Sequence, residues 1–417
     1  MTPRERSSRA MAVGRPAVRA RCPDRRTLLV LVLLLVGYMA LFSRQATDPT
    51  VATAPNPEFL ALFDLEPAEW PSGGLSAPVD SPCAAAAQLA ELTGDQGPRL
   101  DGCDCDPICD EHCECAGRTE EQCVTDRTAD SRAGPRCAEA EHHGPGQRLV
   151  SYSLFQADGG GATAAADNQT DRDGWGWLLQ GLKRNAALSI LLYRGWRIRV
   201  YHDTAPGSAR RARLAATACQ FDHIDLCFVS PADGDSKGVY RGALWRFLPL
   251  SDPLVDTFVS RDLDSRISNR EAAAVHQWLA SNRTFHIMRD HWDHLITVPG
   301  GLWGARPALR RQLADKLGTQ LNKWMAHPGH KNWDQRALHS VVWFHAAVDS
   351  VQHDSYTCQR FPGYTVPFPT RRRNDTTQYL GQVIRPPDGS GAPAPAEKLL
   401  KCPPQCRPRE HQDWEYC

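Results

Sequence analysis

The sequence has no net charge, because its 48 Lys and Arg residues balance its 48 Asp and Glu residues. A protein that coats nucleic acid needs an excess of basic residues, so a nucleic-acid partner is excluded. The chain also lacks the composition of a disordered protein, since 41% of its residues are hydrophobic and only 23% are charged. Its 417 residues allow two or three folded domains.

The charge is distributed unevenly at the N-terminal end. Residues 1–26 hold eight Arg against Glu5 and Asp24, and an uncharged apolar run follows. With its flanking residues this run covers 27–43, the lower limit for a membrane-spanning helix. A basic N-terminal flank predicts a cytoplasmic tail at 1–26 and a single-pass type II signal anchor in the lipid bilayer at 27–43. A cleaved signal peptide is the alternative, although its basic region would be unusually long.

Seven of the 15 cysteines lie within 103–137, and this stretch lacks the C-x2-C pairs of zinc sites. His112 allows a small metal site as an alternative, but only Cys22 precedes the anchor. All the other cysteines are predicted to lie in an oxidising compartment, which favours disulfides. An odd number requires a partner elsewhere, for which Cys83 is a candidate. The spacing leaves the connectivity open, and the C-terminal cysteines predict a second crosslinked patch: Cys402, Cys406 and Cys417.

The composition divides the lumenal part into segments. Residues 44–100 are rich in Pro, Ala and Ser, which predicts a semi-extended stem. A cysteine-rich disulfide module at 101–146, an α/β domain at 147–385 and a tail containing Pro and Cys at 386–417 follow. Three sequons for N-glycosylation agree with a lumenal location: Asn168, Asn282 and Asn374.

Strand and helix patterns alternate from residue 147 onwards. Apolar runs predict strands at 149–155, 196–201, 224–229, 255–259 and 285–288. Helical spacing of apolar residues predicts helices at 175–193, 238–250, 268–279, 307–321 and 333–348. This alternation is typical of an α/β fold with a mostly parallel sheet flanked by helices. Such sheets bind ligands beyond the carboxyl ends of their strands.

Asp262 and Asp264 directly follow the predicted strand 255–259. Residues two positions apart on an extended chain project to the same side, where two carboxylates repel each other unless a cation is near. A hard divalent ion such as Mn²⁺ or Mg²⁺, shared with phosphate oxygens, suits this arrangement. The alternative is a solvated loop in which the acids pair with Arg261 and Arg266.

Two other classes of protein place acidic residues at similar spacing. A phosphatase of the haloacid dehalogenase type uses an Asp-x-Asp motif near the start of its domain, whereas this motif lies about 110 residues in. An EF-hand loop requires Gly at its sixth position, where this chain has Ile267. The phosphatase therefore stays a minor alternative, and the EF-hand is excluded.

The segments Trp245–Pro249 and Val255–Arg266 resemble the stretch that leads into the DxD motif of GT-A-fold nucleotide-sugar glycosyltransferases. Further resembling segments follow in matching order: Phe285–His291, Gly300–Gly304, Trp333–Gln335 and His353–Ser355. The resemblance covers about 147–385 and none of the cysteine-rich region. It implies a GT-A-like fold that transfers a sugar from a nucleotide sugar, by preference a UDP-sugar, to a glycan, glycoprotein or glycolipid. Anchor, stem and lumenal domain together are similar to the layout of Golgi membrane enzymes.

The resemblance also implies roles for residues near the donor. Asp264 and Asp262 would bind Mn²⁺ or Mg²⁺, Asp262 alternatively contacting the ribose, and His353 would complete the metal site. Arg246, Arg261 and Asp262 would contact the nucleotide diphosphate. An ordinary surface histidine and a salt-bridged helix arginine are the alternatives for His353 and Arg246.

Other roles concern the reacting sugar and the acceptor. Asp334 and Gln335 would lie close to the donor sugar, with capping of a helix as the alternative for this pair. Asp290 and Asp334 are the candidates for the base that an inverting enzyme needs. The resemblance of His353 and of the pair Asp334-Gln335 to residues of retaining enzymes instead favours transfer with retention. The predicted acceptor side is formed by Gly300, Gly301 and Trp303. A cysteine-rich membrane-anchored binding protein, or an inactive transferase homologue, is the alternative for the whole chain.

Overall fold

The computed structural model describes residues 120–129, 137–155, 175–229, 239–327, 329–372, 378–384 and 400–417, all within one compact unit, Ala52–Cys417. The predicted cytoplasmic tail, anchor and stem lie outside the described residues, as do Asn168, Asn374 and Cys83. In the described part of the chain, no helix has the length and apolar composition that a membrane span requires.

Eight strands form one sheet. They are β1 (Gln147–Leu154), β2 (Arg197–His202), β3 (Ile224–Phe228), β4 (Val255–Ser260), β5 (Phe285–Arg289), β6 (Trp303–Ala305), β7 (Ser350–Asp354) and β8 (Tyr364–Val366). Their order in the sheet is β3-β2-β1-β4-β6-β5-β7-β8. Strand β6 runs antiparallel to β4 and β5, and the other neighbouring pairs are parallel. The predicted α/β fold with a mostly parallel sheet is confirmed at this level.

Helices lie between the strands. They are α1 (Glu120–Ala129), α2 (Ala138–Glu141), α3 (Trp175–Leu192), α4 (Ala209–Ala218), α5 (Asn269–Leu279), α6 (Arg311–Met325), α7 (Trp333–Val341) and α8 (Trp343–Ala346). Short 3₁₀ helices cover Val239–Ser251, Pro307–Arg310 and Pro404–Cys406. The predicted helix at 238–250 is of this tighter type, with Pro249 inside it. Proline lacks the N–H that an α-helix interior needs.

The sheet is covered on both faces, so neighbouring residues of a central strand enter different cores. Leu149 and Val150 of β1 are both fully buried, and they belong to opposite clusters. The core on one face includes residues of α3, α4 and α5: Leu182, Ala215 and Trp278. The core on the other face includes residues of the first 3₁₀ helix, α6 and α7: Phe247, Leu317 and Leu338. Burial of each Leu or Phe side chain among them stabilises the fold by about 1.5–3 kcal/mol, and this packing fixes the strand ends that carry the site.

Four disulfides lie within the described residues: Cys123–Cys219, Cys137–Cys227, Cys358–Cys406 and Cys402–Cys417. The last two confirm the predicted crosslinked patch at the C-terminal end and add Cys358 to it. Cys123 and Cys137 of the cysteine-rich stretch bond to cysteines at the end of α4 and in β3. The stretch is therefore fastened to the α/β domain, and the remaining cysteines of 103–115 lie outside the described residues.

Candidate active site

Asp262 and Asp264 lie in the turn that follows the carboxyl end of β4. Both the backbone N–H and the hydroxyl of Ser265 donate to the carbonyl oxygen of Asp262, at 3.2 and 3.0 Å. Burial and the neighbouring charge of Asp262 raise the pKa of the Asp264 carboxyl to about 6. The charge of Asp262 thus disfavours ionisation of Asp264, the effect that the spacing predicts for two neighbouring carboxylates.

The side chain of Asn185 in α3 holds the far end of this turn. Its Nδ2 donates to the carbonyl of Ser265 at 3.0 Å, and its Oδ1 accepts from the backbone N–H of Ile267 at 3.2 Å. Asn185 is almost wholly buried. Sequence reasoning missed this residue, since a single polar side chain on the buried face of a helix was its only signal.

Arg246 places a buried positive charge between two carboxylates. Its backbone N–H donates to the hydroxyl of Ser153 at the end of β1, at 2.9 Å. Its guanidinium forms an ion pair with Asp262 through Nη1 and donates to Oδ2 of Asp334 through Nη2 at 2.8 Å. Burial opposes the charge on Arg246, but Asp262 and Asp334 outweigh burial and raise the pKa of the guanidinium above its ordinary value.

Gly300 and Gly301 lie beside these groups because β6, which they precede, pairs antiparallel with β4. The hydroxyl of Ser260 donates to the carbonyl of Gly300 at 2.7 Å. A methyl group on Gly301 would overlap the carboxylate of Asp262. One on Gly300 would lie 2.7 Å from Oδ2 of Asp334. A larger residue at either position would therefore displace these side chains, whereas glycine lets them lie against the backbone.

Asp334 and Gln335 occupy the first turn of α7. The Nε2 of Gln335 donates to Oδ2 of Asp334 at 3.3 Å, and its Oε1 accepts from the backbone N–H of Gly300 at 3.1 Å. Asn332, just before the helix, has a left-handed backbone with φ of 63°. The start of α7 therefore connects Gly300 and Gly301, together called the glycine loop, to Arg246. The predicted site residues that meet at this edge of the sheet are Arg246, Asp262, Asp264, Gly300, Gly301, Asp334 and Gln335.

Arg261 is not among them, because its side chain is buried and bonded to other groups in the interior. It forms a buried ion pair with Glu271, Nε to Oε1 at 2.7 Å, and also donates to the carbonyl of Trp303 at 3.1 Å. The hydroxyl of Tyr193 donates to the same carboxylate oxygen at 2.7 Å. Glu271 lies in the first turn of α5, where the hydroxyl of Ser268 caps the helix by accepting from its backbone N–H at 3.3 Å. Arg261 thus joins β4 to α5.

His353 in β7 lies in the interior and is not brought to the two carboxylates. One ring nitrogen is 2.9 Å from Nε2 of His286, and the other is 2.8 Å from Oε1 of Gln277. The ring is fully buried, and burial lowers its pKa to about 3. Both nitrogens are engaged by protein groups, so the structure gives His353 a place in the core.

Asp290 is also fully buried and engaged by protein groups. Arg270 and Arg372 both pair with its Oδ1, the first at 2.9 Å, and the backbone N–H of Leu380 donates to its Oδ2 at 3.1 Å. Burial raises the pKa of this carboxyl, but the two guanidinium groups outweigh burial and hold it below its ordinary value. Asp290 is therefore placed as a buried countercharge, not as an open base.

Trp303 lies in the core, where its ring meets the edges of Phe247 and Phe258 with centroids 5.4 and 5.3 Å apart. Sequence reasoning missed the exposed indole of Trp292, 43% exposed in the loop between β5 and β6. Arg289 holds this loop by donating to the carbonyl of Ile296 at 2.9 Å. The same loop begins at the carboxyl end of β5 and continues into the glycines of the site.

Within the described residues, no group of three or more His, Cys, Asp or Glu side chains is arranged to hold a metal ion. Asp262 and Asp264 supply two carboxylates, the hard oxygen ligands that Mn²⁺ and Mg²⁺ prefer. Mg²⁺ is commonly held by one or two carboxylates together with substrate phosphates. The residues present therefore fit a cation that arrives with a phosphate ligand.

Comparison of the chain with protein-family models, with curated proteins and with solved structures finds no match.

Proposed function

We propose that the protein is a metal-dependent glycosyltransferase of GT-A type. It transfers a sugar from a nucleotide sugar, a UDP-sugar by preference, to a glycan, glycoprotein or glycolipid acceptor. One observation carries this proposal: Asp262, Arg246, Asp334 and the glycine loop converge from four separate segments at the carboxyl edge of the sheet. This edge is where α/β sheets bind ligands.

The leaving group determines what the site must supply. Breaking the bond between sugar and diphosphate leaves negative charge on the diphosphate, and a preorganised positive charge lowers the barrier. Arg246 supplies such a charge: two carboxylates hold its guanidinium, and the hydroxyl of Ser153 holds its backbone N–H. A bound Mn²⁺ or Mg²⁺, held by Asp262 and Asp264, would neutralise the diphosphate further.

Asp334 and Gln335 orient the groups around the reacting sugar. Gln335 holds the glycine loop through Gly300 and also donates to Asp334, which in turn positions Arg246. Of the two candidate bases of an inverting reaction, Asp290 is engaged by two guanidinium groups and Asp334 by Arg246, which favours neither of them as a base. We therefore propose transfer with retention, supported by the Asp-Gln pair alone, since His353 lies in the core.

The acceptor approaches over the loop between β5 and β6. Gly300 and Gly301, against which the carboxylates of Asp334 and Asp262 lie, form the inner part of this side, and the exposed indole of Trp292 offers an apolar face for a sugar ring. This assigns to Trp292 the stacking role that the resemblance gives to Trp303. We also propose a Golgi membrane location with a lumenal catalytic domain, which the four disulfides support.

Donor binding by the full chain, expressed in a secretory pathway and purified in detergent, tests the proposal. We expect Mn²⁺ and a UDP-sugar together to raise the melting temperature, because a ligand stabilises the state that binds it. Asp264→Asn should abolish this rise and the release of UDP. Asp256→Asn is the matched control, since Asp256 is an exposed aspartate of β4, the strand that precedes Asp264.

Three outcomes distinguish the alternatives. Turnover that depends on Asp264 supports the transferase. Donor binding without turnover, across a panel of sugars and acceptors, supports an inactive transferase homologue. If UDP-, GDP- and CMP-sugars all leave the melting temperature unchanged, the proposal is wrong and the binding protein is favoured.

A further inference from the structure

One sequon lies on the described surface. Asn282 is exposed in the turn that connects α5 to β5, and Thr284 at the third position of the sequon immediately precedes β5. The Arg283 side chain between them donates through Nη1 to the carbonyl of Val348 at 3.1 Å. The sequon is therefore fixed beside the segment that leads into β7.

An exposed apolar patch lies on that segment. Phe344 is 74% exposed and Val348 is 62% exposed, the largest values among the exposed large hydrophobic side chains of the described residues. The backbone N–H groups of Val348 and Asp349 both bond to the carbonyl of His345, so the chain still turns helically here. Residues four positions apart then share one side of the helix. Phe344 and Val348 consequently form one apolar face next to Arg283.

We propose that Asn282 carries an N-linked glycan and that this glycan covers the apolar face of Phe344 and Val348. The glycan is covalently fixed at the rim of the patch, so it covers the patch without a separate binding partner. Sugar rings have apolar C–H faces that can pack on an aromatic ring. This inference is independent of the proposed transferase activity, because Asn282 lies at the amino end of β5 and the candidate site lies at the carboxyl edge.

The burial of Thr284 fixes when the modification happens. Thr284 is 3% exposed, and its hydroxyl has no hydrogen-bond partner among the described residues. Its backbone N–H donates to Oδ1 of Asp349 at 3.4 Å, and the next N–H, of Phe285, donates to the carbonyl of Asp349 at 3.0 Å. Once β5 has joined β7, an enzyme that recognises this hydroxyl has no access to it. The glycan is therefore added before these two strands pair.

The chemistry of the modification is a transfer from a lipid-linked oligosaccharide pyrophosphate. A bond forms between the anomeric carbon of the sugar and Nδ2 of Asn282, and this nitrogen loses one proton. The bond between that carbon and the pyrophosphate breaks, so the lipid pyrophosphate leaves with the electron pair. No oxidant or reductant is required.

Two substitutions that remove the sequon in different ways test the modification. The full chain is expressed in a secretory pathway, and the peptide that contains Asn282 is examined by mass spectrometry. We expect a glycan on the unchanged chain and none on Asn282→Gln or Thr284→Val. Thr284→Val suits this purpose because Val has nearly the same volume and the lost hydroxyl had no partner. An unmodified Asn282 in the unchanged chain overturns the proposal.

The cover and its timing have separate tests. Both variants should bind more of an apolar fluorescent dye and associate more than the unchanged chain, and adding Phe344→Ser with Val348→Ser should reverse this. Unchanged dye binding and association after loss of the glycan overturn the cover. Folded, unglycosylated chain offered the oligosaccharyl donor and its transferase should stay unmodified, whereas unfolded chain should be modified. Equal modification of both overturns the timing.

Discussion

At the residue scale, a buried carboxylate is tolerated only when its charge is paired, and Asp290 meets this condition twice. Arg270 and Arg372 contact one of its oxygens, and Leu380 donates a backbone N–H to the other. Arg372 and Leu380 belong to the chain that follows β8, so Asp290 connects β5 to this last part of the domain.

Asp290→Asn should therefore destabilise the fold by roughly 3–5 kcal/mol, since two buried guanidinium groups lose their countercharge. Urea unfolding at several pH values measures this effect. The pKa of Asp290 is lowered in the folded state, so its contribution is complete above the ordinary value of 3.8 and is lost as the pH falls through the folded pKa. The difference between the two proteins should therefore shrink in acid.

Asp315→Asn is the control for this measurement, because the Asp315 side chain is half exposed and its ion pair with Arg311 is long, at 3.9 Å. Its effect should stay within about 0.5 kcal/mol. A folded Asp290→Asn protein of unchanged stability that has lost only transferase turnover would contradict the structural role and restore Asp290 as a base.

The sequence predicted which acidic residues lie just beyond strand ends, but not which of their side chains stay exposed in the folded protein. Asp262 and Asp290 both lie just beyond strand ends, yet only Asp262 keeps an exposed side chain. The difference arises from Arg372 and Leu380, which are distant in sequence. His353 shows the same limit, because its partners Gln277 and His286 come from other elements.

At the scale of the element, α7 presents Asp334 and Gln335 from its first turn. The residue before it, Asn332, has φ of 63°, a conformation that Asn tolerates better than most residues. The carbonyl of Asn332 accepts from the N–H of Arg336 at 3.1 Å, so this residue also begins the helix. The direction of α7 thus depends on a left-handed residue two positions before Asp334.

Asn332→Val should lower the free energy of unfolding by about 1–2 kcal/mol, because a β-branched residue is strained in this region. Donor binding measured by calorimetry should weaken as well, since Asp334 and Gln335 shift with the helix start. Asn332→Gly is the control, because glycine adopts this conformation readily. Equal stability of the Val and Gly variants would show that the backbone relaxes without cost.

Elements with a clear period or an apolar run were predicted from the sequence, the short strands β3 and β5 among them, whereas β6, β7 and β8 were not. The strands β1, β2 and β4 and the helix α3 were predicted to within a few residues. Strand β6 has three residues, too few for a period to appear. The predicted helix 333–348 is divided into α7 and α8 around Val342. Tertiary packing decides such cases, not local pattern.

At the scale of the whole molecule, disulfides connect distant parts of the chain. Cys123 and Cys219 are 96 residues apart, whereas Cys402 and Cys417 are 15 apart. Closing a longer loop removes more entropy from the unfolded chain. The sequence predicted crosslinking, but partners on α4 and β3 could not be read from spacing.

Replacing both cysteines of the first pair by Ser should lower the free energy of unfolding by about 4.7 kcal/mol, and replacing the second pair by about 3 kcal/mol. Urea unfolding of the oxidised proteins gives both values. A reductant should bring the unchanged chain to or below the stability of either variant. A larger loss from the shorter loop would contradict the entropic account.

Strand β3 forms one margin of the sheet, where unbonded backbone groups could recruit a strand from another molecule. Here Glu139 accepts from the N–H of Leu226, and Arg127 donates to the carbonyl of Ile224. Glu139 and Arg127 thereby occupy backbone groups of this margin, and the disulfide between Cys137 and Cys227 holds their segment against β3. Reduction of that bond would remove a barrier to fibril-like stacking, quite apart from any loss of stability.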